Sequence, residues 1–407
     1  MKKLTYKIHT LGCKVNQYDS GVLSTKLLDL GFIRTSSGAD LVICNTCAVT
    51  KRAIQKAQRV IKQVKKENPS AKIFLVGCWP KIYGEEIESS DFDLVCGVNE
   101  INSIIDKVKS IFSLDDNLKV GLLSNTDRAR YIIKVQDGCE QFCSYCIIPY
   151  TRGKLKSRNS EDVLTEIKGA LKHGYHEIVI SGIHLGLYGT DLGNKYSLID
   201  LLQNIVLLSG EFRVRLSSIE VTEVSDELIE LIAKNDKICN HLHIPLQSGS
   251  DKILKAMNRP YSLEFFNEVV LKIRNMIPGA AISTDVIVGF PDETDDDFAN
   301  TKKFVKQISF SKLHVFPFSI HEKTPAAKMK NKINTTIIKE RAKELRNIGA
   351  DSTEKYIKTF FGKKLLVLIE RVGKDFSVGK SEYYFDINIK TRKNIKRGEL
   401  TLAELIK

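Results

Sequence analysis

Cys139, Cys143 and Cys146 lie in the run Gly138-Cys-Glu-Gln-Phe-Cys-Ser-Tyr-Cys-Ile-Ile-Pro-Tyr-Thr-Arg-Gly153. Their Cys-x3-Cys-x2-Cys spacing offers three thiolates where a closed metal site needs four. A four-iron cluster held by three cysteines keeps one iron open, and an open iron can bind a reactant. Cys13, Cys47 and Cys78 form a second group of three. Each falls just after a strand-like segment, so one edge of a parallel sheet would gather all three from points far apart in the chain. The plain alternative is three unrelated buried cysteines, since free Cys is often interior; the same placement after three successive strands argues against it. Cys96 follows a fourth strand-like segment and is the rival ligand, whereas Cys44 lies inside a strand and is expected in the core.

Two kinds of scaffold are needed to hold these groups. The first 125 residues alternate strand-like segments at 5–11, 41–46, 72–77 and 92–95 with helix-like segments at 16–30, 49–66, near Glu85 and at 99–112. This βαβα pattern implies right-handed crossovers and a parallel sheet. From about 126 to 355, strand-like segments at 131–136, 176–181, 213–217, 241–245, 282–288 and 312–318 alternate with helical ones such as 161–173. Six such units fit a partial (β/α)6 barrel whose chemistry sits at the C-terminal ends of its strands. Ser181-Gly182-Ile183-His184, Ser217-Ser218-Ile219-Glu220, Gln247-Ser248-Gly249-Ser250 and Gly289-Phe290-Pro291-Asp292-Glu293 all follow strands on that face. Glycine there lets backbone approach a ligand, and polar side chains can hold its hydroxyl, amino and carboxylate groups. His184, His241 and His243 are read as hydrogen-bonding structural residues. No catalytic residue is expected beyond the cluster ligands.

The last segment, 356–407, has strand-like runs at 361–370 and 381–390 and reads as a small β-barrel. It carries Lys363, Lys364, Lys390, Arg392, Lys393, Lys396 and Arg397 among Phe376, Tyr383, Tyr384 and Phe385. Basic residues interleaved with aromatics suit RNA, although Phe385 or Tyr384 is expected in the domain's own core. The net charge of +13 is concentrated here: residues 321–407 hold 21 Lys and Arg against 11 Asp and Glu. That asymmetry is the footprint of a polyanion partner, with solubilising charge on the helix at 339–355 as the other explanation. Nine cysteines in short-spaced groups, no apolar leader and no span-length apolar segment point to a soluble, cytoplasmic protein with metal ligands rather than disulfides.

Thr10-Leu-Gly-Cys-Lys-Val-Asn-Gln-Tyr-Asp-Ser20, Asn45-Thr-Cys47, Gly77-Cys78 and the Cys139 to Gly153 run together resemble the radical S-adenosylmethionine methylthiotransferases. Lys14 to Tyr18 and Ser144 to Tyr150 look most like the branch that acts on threonylcarbamoyladenosine in tRNA. The resemblance covers essentially the whole chain. It implies an auxiliary [4Fe-4S] cluster on Cys13, Cys47 and Cys78 in domain 1–125, a radical cluster on Cys139, Cys143 and Cys146 in domain 126–355, and a short TRAM-like RNA-binding domain at 356–407. Cys96 and Cys239 are then structural. Tyr145, Gly182, Glu220 and Gln247 are the residues expected around S-adenosylmethionine. Arg152, Lys154, Lys363, Lys364, Arg392, Lys393, Lys396 and Arg397 are those expected on RNA.

The implied reaction converts N6-threonylcarbamoyladenosine at position 37 of the tRNA anticodon loop to its 2-methylthio derivative. It requires an electron donor such as flavodoxin or ferredoxin and a sulfur donor. The alternatives are methylthiolation of isopentenyladenosine or of a ribosomal-protein aspartate and, from a different class, a non-catalytic iron–sulfur or zinc RNA-binding protein. One departure stands out: Phe318-Ser-Ile-His-Glu-Lys-Thr-Pro325 lacks the arginine and glycine that relatives carry before the threonine.

Overall fold

The computed structural model describes residues 3–88, 91–114, 128–193 and 196–405. In the first unit the elements are β1 (Thr5–Thr10), α1 (Lys14–Asp29), β2 (Ile33–Arg34), β3 (Leu41–Thr46), α2 (Lys51–Glu67), β4 (Lys72–Gly77), α3 (Cys78–Tyr83), β5 (Leu94–Cys96) and α4 (Ile101–Phe112). The five strands form one parallel sheet in the order β2-β1-β3-β4-β5. Every residue of β3 is buried, as a central parallel strand covered on both faces must be. Helix α2 starts on Thr50, whose hydroxyl accepts from the Ala53 amide at 3.1 Å. It buries Ala57, Ile61 and Val64 on the sheet and leaves its charged face in water.

The sequence marks four of these strands and misses β2, which is only two residues long. It also ends the fourth too early. Cys96 belongs to β5, and its thiol donates to Glu100 at 3.0 Å, within its own strand–helix corner. The expected boundary between residues 125 and 126 lies outside the described residues.

The second unit begins with β6 (Tyr131–Lys134), β7 (Gln136–Asp137), α5 (Ile148–Arg152), β8 (Lys156–Ser157), α6 (Ser160–Lys172) and β9 (Glu177–Ser181). It continues with α7 (Leu198–Val206), β10 (Arg213–Leu216), α8 (Asp226–Lys234), β11 (His241–His243), α9 (Asp251–Ala256) and α10 (Leu263–Met276). Last come β12 (Ala281–Val288), α11 (Asp295–Ile308), β13 (Lys312–Pro317) and α12 (Thr335–Lys358). Parallel ladders β10-β9-β6 and β11-β12-β13 are joined by bridges Val214–Ile238 and Ser218–His243. The outcome is an open six-stranded barrel in chain order, as the strand spacing implied.

Each helix from α6 to α12 starts on an Asn, Ser or Thr whose side chain accepts an amide of the first turn. Such caps contribute about 1 kcal/mol apiece. The barrel core includes Tyr131, Ile133, Ile178, Val214, Ile244 and Phe266, all essentially without solvent contact. Burial of each large apolar side chain is worth roughly 1.5–3 kcal/mol.

A curled antiparallel sheet in the order β16-β15-β14-β17 follows, from β14 (Lys364–Arg371), β15 (Phe376–Ser381), β16 (Asp386–Lys390) and β17 (Leu400–Glu404). The strand expected over 381–390 is instead a strand end, a turn and a second strand. Tyr384 takes a left-handed φ of 71° in that turn, and its ring stacks on His241 of the barrel at 4.5 Å. Phe385 joins Phe360, Leu365, Val367 and Ile387 in the small core, as expected.

Arg213 and Arg215, at the start of β10, fasten this sheet to the barrel floor. Arg213 donates to the carbonyls of Leu366 (2.6 Å) and Lys380 (2.7 Å). Arg215 donates to those of Ser381 and Glu382, both at 3.0 Å. Between the two arginines sits the fully buried carboxylate of Glu177.

Candidate metal centres and active-site cleft

Cys13, Cys47 and Cys78 occupy one edge of the first sheet. Cys13 is the residue before α1, Cys47 directly follows β3, and Cys78 opens α3 straight after β4. The side chain of Asn16, fully buried, ties the Cys13 loop to the end of β3 that leads into Cys47. Its oxygen accepts from the Cys13 thiol at 3.4 Å, and its amide donates to Asn45 Oδ1 at 3.2 Å and to the Thr46 carbonyl at 3.1 Å. Gly77 has a φ of 105°, and a Cβ there would lie 2.5 Å from the Thr46 oxygen, so only glycine brings β4 this close to the Cys47 loop. Burial, reinforced by Cys78 and Cys13, pushes the Cys47 thiol up to about 12. Burial also raises Cys78, against the pull of the Arg152 guanidinium. Two buried thiols that resist ionisation on their own, Cys47 and Cys78, beside the exposed Cys13, suit a cluster whose metal charge would stabilise the thiolates.

The second centre is built on the loop between β7 and α5. The Cys139 amide donates to the Gly153 carbonyl at 3.0 Å, closing the loop on its own far end. Gly138 has a φ of 77°, and a Cβ there would overlap the Lys154 carbonyl at 1.8 Å. Gly138→Ala is therefore expected to displace the first cysteine of the motif. Iron bound per chain after anaerobic reconstitution should fall by about half, with the first site still loaded. The Cys146 amide bonds the Cys143 carbonyl at 2.9 Å. Cys139 Sγ is 3.3 Å from Nδ1 of His184, and Arg259 donates to Cys143 Sγ at 3.3 Å. Burial pushes Cys146 up to about 12.

His184 and Arg259 are not among the residues the sequence nominated as ligand contacts. His184 also bonds Glu223; burial opposes its charge, but the contacts with Cys139 and Glu223 prevail and raise it to about 10. Its place at a barrel strand end was the available signal. Arg259 lies in a turn with no periodicity to betray it.

The residues expected around a cofactor are distributed as follows. Tyr145 and Gln247 line a cavity of about 190 Å3 together with Cys146, Asp285 and Phe318. Gln247 adopts a left-handed φ of 64°, and its amide donates to the Asp285 carbonyl at 2.8 Å. Glu220 pairs with Arg259 and so stands beside Cys143. Gly182 packs on Gln136, whose side-chain oxygen accepts the His184 amide at 2.8 Å. Val49 and Thr50, just past Cys47, form another wall of that cavity. The segment that follows Cys47 and the loop that carries Cys146 thus border one space. Cys44 and Cys239 are buried, Cys44 in β3 and Cys239 beside Arg215 and Arg213.

Arg152 is not a surface cation. Its guanidinium is buried, bonded to Asp137 at 2.9 Å, Asp19 at 3.1 Å and Asn16 at 2.8 Å. It therefore links α5 of the barrel to α1 of the first unit. Lys134–Asp19 at 2.7 Å and Tyr18–Glu166 at 3.1 Å extend the same junction. Lys154, Lys363, Lys364, Arg392, Lys393, Lys396 and Arg397 are exposed. They do not form one patch: Lys363 and Lys364 lie at the start of β14, where Lys364 is opposite Glu404, while the other four of the C-terminal sheet occupy the β16–β17 turn.

The unusual 318–325 segment reaches the first unit. His321 Nε2 lies 2.7 Å from the Val49 carbonyl, Lys323 donates to the Ile82 carbonyl at 2.6 Å, and Ser319 accepts the Lys51 amide at 3.0 Å.

A six-stranded open barrel with three cysteines on the loop after its first strand defines a radical S-adenosylmethionine protein. The model for the Radical SAM superfamily matches residues 133–305, and that for Uncharacterized protein family UPF0004 matches residues 5–97. Similar folds occur in the radical methyltransferase TsrM from Kitasatospora setae (TM-score 0.59, 13% identity, 80% of this chain and 75% of that one). The cobalamin-dependent radical enzyme OxsB is also similar (TM-score 0.56, 12% identity, 87% and 56%).

Over nearly its whole length the chain is similar to "Threonylcarbamoyladenosine tRNA methylthiotransferase MtaB" from Thermotoga maritima (40% identity, 93% of this chain, 90% of the relative). The protein of the same name from Bacillus subtilis is 34% identical (99% and 94%). A "tRNA-2-methylthio-N(6)-dimethylallyladenosine synthase" from Clostridium botulinum is 36% identical (90% and 86%). The chain belongs to the radical S-adenosylmethionine methylthiotransferase family. Its cofactors are two [4Fe-4S] clusters and S-adenosylmethionine.

Proposed function

We propose that this chain is a tRNA methylthiotransferase that converts N6-threonylcarbamoyladenosine at position 37 to its 2-methylthio derivative. The observation that carries the reading is the single cavity bordered by Val49 and Thr50 after Cys47 and by Tyr145 and Cys146. A reaction that needs a radical and a sulfur at the same carbon requires the two sources to face one space. When bound, the cofactors supply a carbon radical strong enough to break the C2–H bond and the methylthio group that replaces the hydrogen.

The protein's part is to hold and orient. Cys139, Cys143 and Cys146 would carry one cluster and Cys13, Cys47 and Cys78 the other. Tyr145, Gln247 and the Glu220–Arg259 pair would bound the cofactor. Domains 1–125, 126–355 and 356–407 would supply the auxiliary site, the radical site and an RNA surface that includes Lys393 and Lys396. The adenine must leave its stack to enter, as single-stranded loop bases do when they are read or modified. A low-potential flavodoxin or ferredoxin would deliver electrons, and a sulfur donor would replenish the auxiliary site. We place the reaction in the cytoplasm with its tRNA; among the described residues no helix is long and apolar enough to cross a membrane.

Nucleoside mass spectrometry of a deletion strain tests the substrate. Loss of 2-methylthio-threonylcarbamoyladenosine, restored by the cloned chain, is expected. An unchanged level overturns the reading. Loss of the isopentenyl counterpart instead would favour the second reading, which rests on the Clostridium botulinum relative.

A further inference from the structure

Threonylcarbamoyl and isopentenyl substituents differ in charge: the first ends in a carboxylate and the second is a neutral hydrocarbon. An enzyme that selects the first needs a cation near the adenine that no protein acid already occupies. A cleft of about 680 Å3 opens between the first sheet, the barrel strands β6 and β9 and the C-terminal sheet. Its walls carry Lys14, Arg34, Arg128, Arg130, Arg371 and Arg397, with Glu370 as the one acid among the lining residues. Glu370 is taken by Arg130 at 2.8 Å.

Lys14 differs from the arginines in position and in pairing. It is the first residue of α1, next to Cys13, and is only partly exposed, whereas Arg34, Arg128, Arg371 and Arg397 are exposed at the rim. Among the described residues its ammonium has no carboxylate partner. It shares the lining of this cleft with Tyr384, whose ring stacks on His241 of the barrel at 4.5 Å.

From Tyr384 a chain of side-chain contacts leads through His241, Ser283 and His243 toward the cavity that Cys146 lines. His314 lies against His243 with ring centres 5.8 Å apart, His243 Nε2 is 3.3 Å from Asp285, and Asp285 borders the cavity that Cys146 lines. Ser283 holds His243 Nδ1 and His241 Nε2, each at 2.9 Å, so this polar wall is itself braced.

We infer that Lys14 is the specificity-determining cation of this site, pairing with the carboxylate of the threonylcarbamoyl group while the adenine lies between the cysteine groups. The inference rests on the proposed function above and names the side chain that selects its substrate. A phosphate of the RNA is the other anion Lys14 could meet, and the two are separable.

The test uses anticodon stem-loops carrying threonylcarbamoyladenosine or its carboxamide analogue, turned over by the reconstituted wild type, Lys14→Met and Lys14→Arg. A charge-assisted contact predicts that the wild type favours the carboxylate in kcat/KM by about 10- to 100-fold. Lys14→Met should reduce that ratio to near unity, and Lys14→Arg should keep most of it. Equal losses on both substrates identify a phosphate contact or a structural role and overturn the inference. So does a wild type that turns over both RNAs without preference, a result that requires no variant to fold. Failure of the wild type on the threonylcarbamoyl RNA overturns the proposed function and this inference with it.

Discussion

Cys13→Ala and Cys78→Ala are expected to leave reductive cleavage of S-adenosylmethionine measurable while abolishing methylthio transfer, whereas Cys143→Ala abolishes both. The expectation follows from which elements hold each group. Cys13 and Cys78 belong to α1 and α3 at the edge of the first sheet, and Cys143 to a barrel loop that is closed by its own Gly153 carbonyl and braced by Arg259. Loss of one thiol at the sheet edge leaves that loop its own supports. Deoxyadenosine and modified nucleoside, quantified from the same anaerobic reaction, separate the two activities; each intact site should retain about four irons. Loss of deoxyadenosine formation in Cys13→Ala would show that the two centres cannot be assigned in this way.

Glu177→Ala should be among the most destabilising single changes in the barrel. The carboxylate accepts from Arg213 Nε at 2.7 Å and from Arg215 Nε at 2.8 Å. Removing it leaves two buried guanidiniums with no acid between them, a loss of roughly 3–5 kcal/mol. The thermal midpoint should fall by roughly 10 °C or more, and limited proteolysis should release the C-terminal sheet early. Burial opposes the charge of Glu177, but Arg215 and Arg213 prevail and pull its pKa from the ordinary 4.5 to about 2. A lowered folded-state pKa contributes stability that is fully present above 4.5 and is lost as pH falls through about 2. The gap between wild type and variant should thus be constant above about pH 5 and narrow below it. Equal thermal midpoints at neutral pH would refute the role.

Much of this architecture was legible because it is periodic or strictly spaced. All six barrel strands coincide with strand-like segments of the sequence, and Cys13, Cys47 and Cys78 stand at strand ends in the chain as they do in space. The side-chain partnerships were not legible. Arg152 reads as an available cation after a cysteine motif, yet its partner Asp19 is 133 residues away and buries it. Tyr383-Tyr384-Phe385 has strong strand propensity, but packing of Tyr384 on His241 turns the chain there. The pairing of Cys143 with Arg259, 116 residues later, depends on the closed barrel and has no local signal.

The run Gly12 to Ser20 shows how dense such hidden partnerships become. Cys13 stands at the proposed metal site, Lys14 lines the cleft and Asn16 bonds the end of β3, while Tyr18 and Asp19 dock on the barrel. Successive positions at the start of one helix thus face different partners, so substitutions along the run are expected to break different contacts.

The acceptors that Arg213 and Arg215 use on the C-terminal sheet are all main-chain carbonyls, those of Leu366, Lys380, Ser381 and Glu382. Such bonds respond to the path of the chain, and a few side chains add to the join, among them Tyr384, stacked on His241, and Glu370, paired with Arg130. Away from such contacts the surface of the C-terminal sheet can be rewritten without touching its attachment to the barrel. The barrel keeps its grip so long as the first hairpin follows the same course.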